Sequence, residues 1–93
     1  MTKTELEIIT EILEEYAVAH GYYHAAANAD IAKLQEGTEN INSMKSMGSQ
    51  TVVIVDLMER LGINNAKQLR AEFTRKGYER YSKNQSTGTE EQA

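Results

Sequence analysis

The chain has 93 residues, no cysteine and no proline, and its 14 acidic and 10 basic side chains give a formal net charge of −4 at pH 7. A chain of this length has room for one buried core, and without cysteine it has neither disulfides nor thiolate chemistry. No stretch approaches the roughly 20 apolar residues that span a bilayer, and the first residues lack the pattern of a signal peptide, so we expect a cytoplasmic protein.

The first predicted helix begins near Thr4. Glu7 follows Thr4 by three residues, as Glu5 follows Thr2, and this spacing is that of a capping box. Apolar and aromatic side chains then recur at alternating steps of three and four, which predicts a long amphipathic helix with a coiled-coil-like stripe. The stripe comprises Leu6, Ile9, Leu13, Tyr16, His20, Tyr23, Ala27 and Leu34. We expect the helix to continue through Gly21 and to bend there.

Glycines indicate where the following helices end. Gly37 fits the left-handed residue after a helix, but the apolar stripe resumes beyond it if the chain passes straight through, and both alternatives stay open. Gly48 and Ser49 predict a clearer break. The next helix is expected over 51–61, with Ser49 or Thr51 as its cap.

The second half of the chain predicts further helices. Residues 51–56 are rich in β-branched side chains and would also suit a strand that pairs with a second chain. Gly62 is expected to end the helix in a Schellman turn, and a last helix is expected after a short loop that contains asparagine. We expect that helix to weaken at Gly77. The polar composition of 82–93 predicts a disordered tail.

These patterns predict an all-α fold of three or four helices in one domain, residues 1–81, with a long N-terminal helix. A small chain without disulfides or a metal site has few means of stabilising its core other than association. We therefore expect a helical hairpin or bundle that is completed by homo-oligomerisation.

Charge is divided between the two halves of the chain. Residues 1–40 carry two lysines and eight acids, whereas residues 60–83 carry seven bases and two acids. One interpretation is two solvated helix faces that attract each other within or between chains, and the other is a basic surface for phosphate.

A segment of histidines and tyrosines in the first helix is the first candidate site. His20 and His24 are four residues apart, but no third ligand accompanies them, so we predict no metal and no cofactor. Gly21 stands where a metalloprotease helix carries glutamate. Rings of this kind can stack on a nucleobase while an arginine or lysine side chain neutralises a phosphate. The alternative is that these rings are half buried in a small core. The residues proposed for a nucleotide-like ligand at a subunit interface are Tyr16, His20, Tyr22, Tyr23, His24, Asn28 and Arg70.

The segment from Asp56 to Arg70 is the second candidate. It resembles the helix, Leu-Gly-Ile turn and second helix of helix-turn-helix DNA-binding proteins. The resemblance implies a recognition helix in the major groove, where asparagine and glutamine pair with adenine and arginine with guanine. Its base-reading residues would be Asn65, Lys67, Gln68 and Arg70.

The acidic face of the first helix is the third candidate. It carries Glu7, Glu11, Glu14 and Glu15. We expect these carboxylates on the solvent side of an amphipathic helix, without the contrasting environments that acid-base catalysis requires, so we predict no enzyme. A dense acidic helix can instead dock on a basic partner. The function predicted first is a non-enzymatic accessory or inhibitor protein that acts through a partner protein, by analogy with small helical proteins of mobile elements.

Overall fold

The computed structural model describes residues 4–33 and 38–92, and the side chains of these residues up to 84. In these ranges the chain forms three helices, α1 (Glu5–Ala32), α2 (Thr38–Arg60) and α3 (Ala66–Gln92), and no strand. The all-α prediction is therefore confirmed. Because α1 has 28 residues and α3 has 27, the first helix does not dominate in length. Residues 51–56 are helical, so the strand alternative is wrong.

α1 begins where the capping pattern predicts. Thr4 is its N-cap and has an extended backbone, and its hydroxyl accepts the Glu7 N–H at 3.2 Å. Glu5 and Glu7 lie in the first turn, where the positive end of the helix dipole favours acidic side chains. The parallel pattern on Thr2 lies outside the described residues.

α1 ends at Ala32, and α2 packs back against it. The side-chain amide of Asn40 in α2 donates to Asp30 Oδ2 at 2.7 Å, which joins the end of α1 to the start of α2. The alternative of one helix that runs straight on along the stripe is therefore wrong. Leu34 and Gly37, the predicted stripe residue and helix end, lie outside the described residues.

The core forms where both other helices pack on α1. α2 and α3 each make extensive contacts with α1 and few with each other, so α1 is the central helix. Leu13 and Met58 are fully buried. The core comprises Leu13, Ala17, Val18, Val55, Met58, Ala66 and Phe73. The predicted stripe covers this core only in part, since Leu6 is 50% exposed while Val18, outside the stripe, is buried.

α2 continues through Gly48, and the predicted break there is wrong. Ser49 and Thr51 do not cap a new helix, because their hydroxyls donate to backbone carbonyls of α2 itself, at 2.9 and 2.7 Å. The missing side chain of Gly48 instead makes room for His20 of α1. A Cβ at position 48 would lie 2.9 Å from two atoms of the imidazole ring.

α1 and α3 cross where two glycines meet. A Cβ added to Gly21 would overlap the backbone carbonyl of Thr74, and one added to Gly77 would overlap the carbonyl of Val18. Neither helix is interrupted at its glycine. Gly77, which the sequence predicts to weaken its helix, is therefore a position of close backbone packing.

α2 ends in the predicted Schellman turn. Gly62 has a φ of 88°, in the left-handed region, and its N–H donates to the Glu59 carbonyl at 3.0 Å. The Ile63 N–H donates to the Met58 carbonyl at 3.0 Å, which completes the motif. The turn reverses the chain so that α3 can return along α1.

α3 extends to Gln92, into the stretch 82–93 whose composition predicts disorder. The side chains from residue 85 onward lie outside the described residues. The division into a domain of residues 1–81 and a polar tail stays a prediction.

Candidate functional site

The histidines and tyrosines of α1 pack mainly against one another and against α3. The His20 and His24 rings are stacked with centroids 6.2 Å apart, and His24 meets Tyr78 edge-on at 5.2 Å. Tyr22 meets Tyr23 at 5.8 Å and Tyr81 at 5.3 Å, again edge-on. These half-buried rings hold α1 and α3 together, as aromatic side chains of small cores commonly do.

His20 also joins α1 to α2. Its Nδ1 lies 2.9 Å from the Met44 carbonyl oxygen, and since a carbonyl can only accept, Nδ1 carries the proton. Nε2 is then the ring nitrogen left for other partners. Nowhere in the described part of the chain do three or more histidine and acidic side chains come together as metal ligands.

An open groove of about 590 Å³ lies between α1 and α3. We call it the acidic groove. Its charged and aromatic lining consists of Glu11, Glu14, Glu15, Tyr22, Tyr23, Lys76 and Arg80. It therefore unites three of the four acidic docking candidates with two of the predicted ligand tyrosines, whereas Glu7 is exposed outside it. Periodicity places the acids on one face of α1, but only the packing of α3 shows that this face is one wall of a groove.

A second open groove, of about 650 Å³, is lined by residues of α2 and α3 and by one residue of α1. We call it the Arg70 groove. It is lined by His20, Gly48, Ser49, Thr51, Val52, Arg70, Ala71 and Thr74. His20 and Arg70, predicted as parts of one ligand site, thus line the same groove, while Tyr16, His24 and Asn28 line neither groove. The three hydroxyl residues carry no sequence signal that links them to this site, because they come from two helices.

The predicted DNA-reading residues lie in the turn after α2 and at the start of α3. Asn65, Lys67 and Gln68 are exposed, and Arg70 is half buried in the Arg70 groove. α2 and α3, the two helices of the predicted motif, make few contacts with each other. The DNA-binding alternative stays a prediction.

The basic segment is largely paired with acids. Four of its seven bases form ion pairs of 2.9 to 3.9 Å, which are Arg60 with Asp56, Lys67 with Glu59, Arg75 with Glu79 and Lys76 with Glu14. The Lys76 pair, at 3.2 Å, links the acidic α1 to the basic α3. Of these four pairs, only this one joins the two charged halves of the chain, since the acids of the other three lie outside residues 1–40.

Comparison of the chain with protein families, with curated proteins and with solved structures finds no match. Within residues 4–33 and 38–92, no helix combines the length and the apolar character that crossing a membrane requires.

Proposed function

We propose that this protein is a non-enzymatic binding protein that docks a basic segment of a partner protein in the acidic groove. One observation carries the proposal: three carboxylates, of Glu11, Glu14 and Glu15, line the same open groove as the rings of Tyr22 and Tyr23. A partner segment rich in arginine or lysine complements this lining in charge, and the net charge of −4 attracts it from a distance.

The acids of the groove lie on its α1 side, and the two basic side chains of its lining, Lys76 and Arg80, lie on α3. Lys76 on the α3 side is engaged by Glu14 at 3.2 Å. Glu15 is exposed and forms no ion pair with any of the described residues. An incoming guanidinium group therefore meets a carboxylate without having to break an existing ion pair.

The tyrosines give the groove a rigid aromatic surface. Tyr22 is held edge-on by Tyr81 of α3 and by Tyr23, so binding costs little further side-chain entropy. Tyrosine is enriched among the residues that dominate interface energies, and its ring attracts cations through its face. Carboxylates beside tyrosine rings are thus suited to arginine side chains.

Self-association is the second part of the proposal. Several large apolar side chains of α1 and α2 and of the turn after α2 are exposed, among them Leu6 at 50%, Val53 at 65% and Leu61 at 60%. Leu6 and Leu61 also line a small open pocket of about 210 Å³, together with Glu5, Ile9 and Ile63. We propose that a second copy of the chain covers this end of the molecule.

An accessory or inhibitor role in a mobile element rests on the analogy of size and composition alone.

The test uses a fluorescein-labelled peptide of alternating arginine and glycine as the probe. The double variant Glu11→Lys with Glu15→Lys should weaken peptide binding, measured by fluorescence anisotropy, by about tenfold or more. Binding by the unchanged protein should also weaken as salt is added, because exposed charges are screened.

Glu39→Lys with Glu72→Lys is the matched control, since both residues are exposed and neither lines the acidic groove. Like the groove variant, it replaces two acidic side chains with lysine, but outside the groove. Equal loss in the control and in the groove variant, or no measurable peptide binding by the unchanged protein, would overturn the proposal.

A further inference from the structure

We infer that the Arg70 groove is a binding site for the phosphate group of a small molecule. The site is separate from the acidic groove, and it lies between α2 and α3 beside His20 of α1. The inference goes beyond partner docking, because it assigns a small oxyanion ligand to residues that the docking proposal does not use.

The first argument is charge. Arg70 lines the groove, and its guanidinium group forms no ion pair with any residue that the structure describes. Four other bases of the same segment do form such pairs. None of the described residues that line the groove carries a carboxylate. Although the protein has a net charge of −4, an anionic ligand in this groove can therefore bind Arg70 without competition from a carboxylate of the lining.

The second argument is the set of polar groups around Arg70. The hydroxyls of Ser49 and Thr74 line the groove and at present donate to carbonyls within their own helices. Those carbonyls belong to the helical backbone, so a hydroxyl can turn to a ligand at little cost. A planar guanidinium with nearby hydroxyl donors matches the tetrahedral oxygens of a phosphate.

The third argument is His20. His20 lines the groove, and its Nδ1 proton is committed to the Met44 carbonyl at 2.9 Å, so Nε2 is the ring nitrogen that can serve a ligand. Neutral Nε2 accepts the proton of a monohydrogen phosphate group, and an imidazolium Nε2–H donates to its oxygens. Gly48 is needed here, since a Cβ at that position would lie 2.9 Å from the ring.

The fourth argument is size. The groove volume of about 650 Å³ falls within the range of sites for small molecules and exceeds what a bare phosphate fills. Val52 and Ala71 add an apolar wall to the polar lining. The ligand class is thus a phosphate-bearing small molecule whose remaining part contacts this wall.

The experiment titrates the full chain with inorganic phosphate, at constant ionic strength with chloride, and follows backbone amide shifts by NMR. Saturable shifts centred on Gly48, Ser49 and Thr74 are expected at concentrations up to about 20 mM, the weak range for a single anion. Adenosine monophosphate, titrated in parallel, should shift the same amides at lower concentration because it also contacts the apolar wall.

Arg70→Gln should weaken both titrations by about tenfold, since it removes the charged donor. Arg75→Gln is the matched control, because Arg75 lies on the same helix, is exposed and pairs with Glu79. Circular dichroism verifies that both variants are folded.

Two outcomes overturn the inference. One is the absence of saturable shifts at the groove amides in the unchanged protein. The other is equal weakening by Arg70→Gln and Arg75→Gln, which would mean general charge attraction. The variant Glu11→Lys with Glu15→Lys should retain phosphate binding, so a failure of the docking proposal leaves this test intact.

Discussion

Gly21 of α1 lies directly against Gly77 of α3, so that a Cβ built on Gly21 would be 3.3 Å from the Gly77 Cα. At this crossing the two helices touch through backbone atoms instead of side chains. The two residues lie in the first and the last helix of the chain, and their contact sets how closely α3 approaches the central helix.

We expect Gly77→Ala to lower the free energy of unfolding by about 1 to 3 kcal/mol, because the added Cβ meets the Val18 and Tyr22 backbone, which cannot move aside without shifting α1. This is the net change, because the clash outweighs the gain of about 1 kcal/mol in helix propensity when alanine replaces glycine in a helix interior. Urea unfolding followed by circular dichroism measures the difference.

Gly48→Ala is the comparison for that measurement. Its added Cβ meets the imidazole of His20, a side chain that can rotate, so its loss of stability should be smaller. A Gly77→Ala protein as stable as the unchanged chain would contradict the described crossing.

Leu13→Asp should unfold the core and abolish self-association. Leu13 is fully buried, and an unpaired carboxylate in its place costs several kcal/mol of desolvation. Ile12→Asp is the matched control, because Ile12 is 39% exposed on the neighbouring position of the same helix. Thermal unfolding should separate the two variants clearly, and similar melting temperatures would show that the α1 register is wrong.

The chain should assemble into a dimer or larger oligomer. The mass expected in light scattering at micromolar concentration is at least twice the chain mass of 10.4 kDa. Leu57→Asn combined with Leu61→Asn should reduce this mass without loss of helicity, since both side chains are exposed, at 46% and 60%. A mass of 10.4 kDa for the unchanged protein would remove self-association from the proposed function.

Features that depend on neighbouring residues could be predicted from the sequence. The cap at Thr4 and the Schellman turn at Gly62 each involve groups within a few positions of one another, and both are as predicted. Glycines within helices are the main source of error. The sequence shows that a side chain is missing at Gly48 or Gly77, but only the tertiary packing shows that another helix occupies the space.

The candidate sites show the same difference between features set by neighbouring residues and features set by tertiary packing. The acidic face of α1 could be predicted, because its members lie at helical spacing on one element. The Arg70 groove could be predicted only in fragments, since His20, Ser49 and Arg70 come from three different helices. Their proximity depends on how α2 and α3 pack on α1, which no local pattern encodes.

The layout around α1 also bears on the order of folding. The short loop between α2 and α3 joins the two helices that touch least, so its closure is followed by few tertiary contacts. Pairing of α1 with α2 offers buried surface at shorter sequence separation than pairing of α1 with α3. The hairpin of α1 and α2 should therefore form first, and α3 should dock last, when Gly77 packs onto Gly21.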